Sequence, residues 1–175
     1  MRTRSYRLLS LAALALPMGA EATVYLTPEQ AQALMFPHQA LRPDFRTLTS
    51  AQVAAIKKAS GDTPLSKQLK AWRAADGGWF IVDEVVGKHE FITYAVALDP
   101  SGAVRDVEIL DYREAYGGQV RDPRWRQQFV GKRAGQSLKL GSDIKNISGA
   151  TLSSKHVTDG VRLLLTTYQL VLAHG

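Results

Sequence analysis

Between Trp79 and Leu110 the chain carries three aromatic and β-branched runs: Trp79 to Val86, Phe91 to Leu98, and Val104 to Leu110. The links between them, Gly87-Lys88-His89-Glu90 and then Asp99-Pro100-Ser101-Gly102 with Ala103, are too short for a crossover. A parallel pair needs a dozen or more connecting residues, so these runs can only be antiparallel neighbours. The predicted core is therefore a three-stranded β-meander. With 45% hydrophobic and 22% charged residues, the chain has enough apolar surface to cover such a sheet.

Helical signals flank the meander. Thr27-Pro28-Glu29-Gln30 reads as an N-cap, a proline at the first helical position and a capping box, with Phe36-Pro37 as the stop. Thr49 with Gln52 opens a second short helix, with Val53 and Ile56 inward and Gly61 as its end. Asp122-Pro123 starts a third, bearing Trp125 and Phe129 on one face and halted by Gly131. Leu138-Lys139-Leu140 reads as a strand, and Val157, Val161, Leu164, Leu165, Tyr168 and Leu172 follow a helical stripe to the C-terminus. The class is α+β: an antiparallel meander packed by short helices, with a C-terminal amphipathic helix. The reading divides the chain into a leader (1–22), an N-terminal helical extension (23–75) and a main domain (76–175), with Thr63-Pro64 to Lys70 as the connection.

Arg2, Arg4 and Arg7, then the apolar stretch Leu8 to Met18, then Ala20-Glu21-Ala22 have the order of a secretory signal peptide cleaved after Ala22. A membrane span needs about 20 apolar residues, and this run is shorter. Removing those residues takes three Arg and one Glu from a net charge of +6 and leaves +4. The Lys and Arg residues are scattered, and an exported protein meets little nucleic acid, so no nucleic-acid partner is expected. Zero cysteines exclude a disulfide framework, a thiolate metal site, a thiol nucleophile and a lipidated cysteine. The histidines, at 38, 89, 156 and 174, have no metal-ligand spacing.

The segment richest in chemistry is Ser148-Gly149-Ala150-Thr151-Leu152-Ser153-Ser154, which runs into the last helix. Unpaired N–H groups and the positive end of the helix dipole converge at such a start and attract anions. Gly149 and Ala150 leave room for a phosphate near the main chain, and Ser153 or Ser154 reads as the N-cap. The alternative is a serine-rich cap without chemistry. Walker and dinucleotide glycine patterns are absent.

This segment resembles the flavinylation motif of FMN-binding domains. Those domains occur in the small flavin-bearing subunits of sodium-pumping quinone reductases, in related ferredoxin-oxidising membrane complexes and in stand-alone exported proteins. Glu114-Ala115-Tyr116-Gly117-Gly118, Trp125 and Phe129-Val130-Gly131-Lys132 are similar to the family's loop and short helix upstream of the motif. The likeness covers roughly Trp79 to the C-terminus. It implies FMN bound covalently by a phosphodiester to Thr151, installed by a Mg-dependent flavin transferase on the exported side. Ser148, Gly149, Ala150, Ser153, Ser154, Glu114, Tyr116, Gly117 and Gly118 are then its expected surroundings. One position departs from the pattern: the family usually has Asp where Lys145 stands here, and the nearest acid is Asp143.

Ring contacts are sought among Tyr116, Gly117, Gly118, Trp125 and Phe129. For the last two, packing into the core is an equal reading, and Gly117-Gly118 is either a tight turn or a close approach. Lys132 and Lys155 are candidate neutralisers of phosphate. A hydrolase is the rival of another class: Ser142 and Lys145 have Ser-x-x-Lys spacing, and Ser153, His156 and Asp159 lie close in sequence. The first lacks its partner motifs, and the second crowds into two turns of one helix. A third reading keeps the fold without flavin, as an interaction module. The expectation is an exported electron carrier, in the periplasm or at the membrane surface, served by a flavin transferase and a membrane-bound redox donor.

Overall fold

A computed structural model describes residues 23–174; the leader lies outside the described residues. The chain order is β1 (Thr23–Val24), α1 (Pro28–Met35), β2 (Leu41–Pro43), β3 (Arg46–Thr47), α2 (Ser50–Ser60), β4 (Gln68–Ala74), β5 (Trp79–Val86), β6 (Phe91–Leu98), β7 (Val104–Tyr112), the single turn α3 (Pro123–Arg126) and α4 (Thr151–Thr167). Strands β4 to β7 form an antiparallel meander, extended to the order β1-β7-β6-β5-β4-β2, with β3 pairing the other end of β4. The fold is α+β.

Strand β5 shows why the sheet reads as a continuous apolar run. Trp79 and Ile81 face a core shared with α4, whereas Phe80 and Val82 face a second core under α1. Both faces are covered, so strict alternation is lost. On the first face Val157, Val161, Leu164, Leu165 and Leu172 meet Ile92, Tyr94 and Ile109. Each such buried side chain stabilises by about 1.5–3 kcal/mol. On the other face Ala31, Met35 and Phe36 cover Phe80, Ala95 and Ala97.

Helices α1 and α2 carry the capping boxes read from Thr27–Gln30 and Thr49–Gln52, and Gly61 closes α2 in the left-handed region at φ 85°. Three features differ from the reading. Residues 23–75 contribute strands as well as helices: β4 is a full member of the sheet, and β1 pairs with β7. Leu138-Lys139-Leu140 is not a strand, because the Asp143 carboxylate accepts from Ser137 Oγ and Lys139 N and curls the chain back, leaving one bridge between Leu140 and Ile144. Helix α4 begins at Thr151 with Ala150 as N-cap, so neither Ser153 nor Ser154 caps it. Their side chains turn into the protein instead. No helix among the described residues is long and apolar enough to cross a membrane.

Candidate functional site

Three segments meet around a cleft of about 480 Å³ beside the start of α4. The first wall is the β5–β6 hairpin loop with Lys88 and His89. The second is the loop from Glu114 to Gly117, and the third runs from Gly149 to Ser153. A hollow of about 470 Å³ on the far side of Tyr116 adjoins it, lined by Tyr25, Gly118 and Arg121, and shares Tyr116, Gly117 and Gly149. Volumes of 300–1,000 Å³ are usual for cofactor sites.

Glu114 builds the first wall. Its Oε1 accepts from His89 N at 2.5 Å and Glu90 N at 3.0 Å. A side chain at Gly87 would meet the same oxygen at 2.5 Å and would have to displace the carboxylate from this position. Partial burial pushes the Glu114 carboxyl up, but the main-chain donors of Glu90, His89 and Lys88 outweigh it and hold the group below the usual glutamate range. Its carboxylate anchors the hairpin, which leaves the side chains of Lys88 and His89 exposed on the rim.

In the second wall Tyr116 projects almost fully into solvent, 87% exposed. Gly117 sits at φ 96°, and a Cβ there would come within 2.5 Å of both Ser153 Oγ and Tyr112 Oη. It is thus both a left-handed turn and a close approach, although the atoms it approaches belong to the protein. Gly118 opens a short 3₁₀ turn, Gly118–Arg121.

Thr151 is the first residue of α4, exposed, and its Oγ accepts from Asn146 Nδ2 at 3.0 Å. Gly149 at φ 82° and the Ala150 N to Ile147 O bond turn the chain into the helix. Ala150 supplies no capping side chain, and the first turn holds no acid. The starts of α1 and α2 are closed by their own capping boxes, whereas this one is left for an outside acceptor. Ser148 is exposed on the loop; Ser153 bonds to Tyr112, and the buried Ser154 Oγ has no partner among the described residues.

Trp125 and Phe129 pack edge to face, 5.2 Å between centroids, in the core. They support the third wall from beneath: Trp125 Nε1 donates to Lys145 O at 2.7 Å, and Lys145 N donates to Gln128 Oε1. The Lys145 main chain is fixed and its side chain exposed, while Asp143 is engaged in its own turn. Lys155 pairs with Asp159 at 2.6 Å, away from the cleft. That pairing also dissolves the rival triad, since Asp159 holds Lys155 and Arg162, and Ser153 bonds to Tyr112 in place of His156. Among the described residues no group of three His, Asp or Glu is placed to hold a metal ion.

Two participants were not read from the sequence. Asn146 and Tyr112 act through contacts 5 and 41 residues away, and only Asn146, a polar side chain just ahead of the loop, left a local signal.

An uncapped helix start bearing an exposed hydroxyl opens on a cleft with Lys88 on its rim, an arrangement suited to a phosphorylated ligand. Residues 87–166 match the family model of the FMN-binding domain. The match covers β6, β7 and most of α4, and it supports FMN as the cofactor of this part of the chain. No curated protein matches the chain.

Proposed function

We propose that the protein is an exported electron-transfer flavoprotein whose FMN is joined through a phosphodiester to Thr151. The observation that carries this reading is the Thr151 hydroxyl, exposed on the cleft rim at the first residue of a helix with no side-chain cap. The residues present fit the group. Thr151 Oγ would supply the ester oxygen, and the uncapped start of α4 would stabilise the charge retained by the diester by about 0.3–1 kcal/mol. Asn146 Nδ2, already 3.0 Å from Thr151 Oγ, holds that side chain in one orientation. Tyr116, Gly117 and Leu152 offer surface for a ring, and Lys88 places positive charge on the rim of the same cleft.

The flavin, when bound, supplies reversible one- and two-electron chemistry that the side chains lack. The protein would tether it through Thr151 and set the local charge through Lys88. Beyond the cytoplasm a dissociated cofactor is lost, so the leader at residues 1–22 and covalent attachment support one another. A flavin transferase would transfer the FMN moiety of FAD to Thr151 Oγ, breaking the FAD pyrophosphate and releasing AMP and the hydroxyl proton, and a membrane-bound redox donor would deliver electrons.

The test is expression with a flavin transferase and export, followed by a denaturing gel viewed for flavin fluorescence. Thr151→Ala abolishes the fluorescent band and Thr151→Ser retains part of it; a fluorescent Thr151→Ala band refutes the attachment residue. Lys145→Asp, which restores the family's usual acid on a main chain already fixed by Trp125 and Gln128, raises occupancy. Equal or lower occupancy shows that lysine is adapted to this protein.

A further inference from the structure

Strand β7 does not run evenly into the site. Thr93 pairs with Asp111 and Tyr94 with Ile109, so one extra residue, Leu110, is inserted on β7. The bulge reverses the alternation. Ile109 and Tyr112 both face α4, opposite Tyr94 and Ile92, whereas an unbulged strand would direct Asp111 there. Bulges next to functional sites commonly re-aim a side chain in this way.

The re-aimed residue is Tyr112, 4% exposed. Its hydroxyl lies 2.5 Å from Tyr116 O and 2.8 Å from Ser153 Oγ. A carbonyl only accepts, so the single Tyr112 proton goes to Tyr116 O and the Ser153 hydroxyl donates to Tyr112. The chain of donors therefore runs from the first turn of α4, two residues past Thr151, through the end of the sheet to the opposite wall. The missing Cβ of Gly117 is what lets these three groups close on one point. Burial raises the Tyr112 hydroxyl above its ordinary value, so it keeps its proton throughout the neutral range.

We infer that Tyr112 is a positioning residue for the flavin: through Ser153 and the Tyr116 main chain it holds the two facing walls of the cleft at one spacing. It thereby sets the surroundings of the ring, while attachment is left to Thr151. This rests on the reading of the cleft as the flavin site. Tyr112 itself stays beneath the walls and is absent from the cleft lining.

The experiment compares Tyr112→Phe, Ser153→Ala and the double variant with the parent, all matured with a flavin transferase and matched for covalent occupancy by mass. The phenyl ring keeps the core filled, so melting temperature stays close to the parent's. Fluorescence anisotropy of the tethered flavin falls and its midpoint potential shifts in Tyr112→Phe. Ser153→Ala gives the same shift and the double variant adds nothing, because one tie is broken in all three. Unchanged anisotropy and potential in Tyr112→Phe at equal occupancy overturn the inference. A parent without covalent flavin instead overturns the attachment reading. Amide exchange then decides the tie: faster exchange at both 116–118 and 153–154 in Tyr112→Phe supports it, and unchanged exchange overturns it.

Discussion

Asp83 stands on β5 opposite Tyr94 and, with Leu163, Leu164 and Thr167 of α4, lines a narrow slot that contains no basic side chain. Burial pushes its carboxyl up to about 6, helped by the neighbouring Glu84 charge and opposed by the Glu84 main-chain donor and by Lys70. A carboxyl raised in the folded state favours folding when protonated. That contribution is complete below the unfolded value, near 3.8, and is lost as pH rises through about 6. The parent should therefore lose about 1–2 kcal/mol relative to Asp83→Asn between pH 5 and pH 8, measured by denaturant unfolding at each pH. A constant difference between the two proteins would show that Asp83 is ionised without cost.

At the level of elements, α4 carries Gly160 in its middle, where glycine costs about 1 kcal/mol relative to alanine. A Cβ there would lie 2.5 Å from Tyr94 Oη and 2.7 Å from Val85 Cγ1, and the Tyr94 hydroxyl is buried with no partner among the described residues. Gly160→Ala should therefore destabilise by about 1–3 kcal/mol despite its better propensity. Adding Tyr94→Phe, which deletes the obstructing and unsatisfied oxygen, should recover part of that loss. Thermal unfolding of the four proteins in this cycle checks it, and a stabilised Gly160→Ala would mean that α4 packs less closely on β6. The same elements explain what could be read in advance. The boxes at Thr27 and Thr49 are local and visible, and β5 and β6 announce themselves by apolar runs. Strand β4, Gln68-Leu69-Lys70-Ala71-Trp72-Arg73-Ala74, buries only small or scattered apolar residues, and the short β1, β2 and β3 exist through partners far away in sequence. Around the cleft, the segment of Thr151 leading into the last helix and the turn at Gly117 were legible from the sequence. The tie at Tyr112 was not, because it depends on a bulge that no periodicity displays.

Across the whole molecule, the family match at residues 87–166 begins after β5, yet the sheet continues through β5 and β4 to β2. Arg162 of α4 reaches Ser60 O, Leu138 O and the Asp62 carboxylate, and so joins the end of α2 to the loop before the site. A chain starting at residue 76 loses the pairing partner of β5, the α1 cover over Phe80 and this junction. An uncovered apolar sheet with an open edge should aggregate or unfold without cooperativity. A sharp denaturant transition and normal flavin acceptance by that fragment would show that residues 23–75 are dispensable.

The most direct test of the central claim is the intact mass of the exported, matured protein, followed by mapping of the modified peptide. The expected result is processed polypeptide plus FMN less one water, with the added mass on Thr151 and absent from Thr151→Ala. An unmodified mass in material made with an active flavin transferase, or the added mass on another residue, would contradict it.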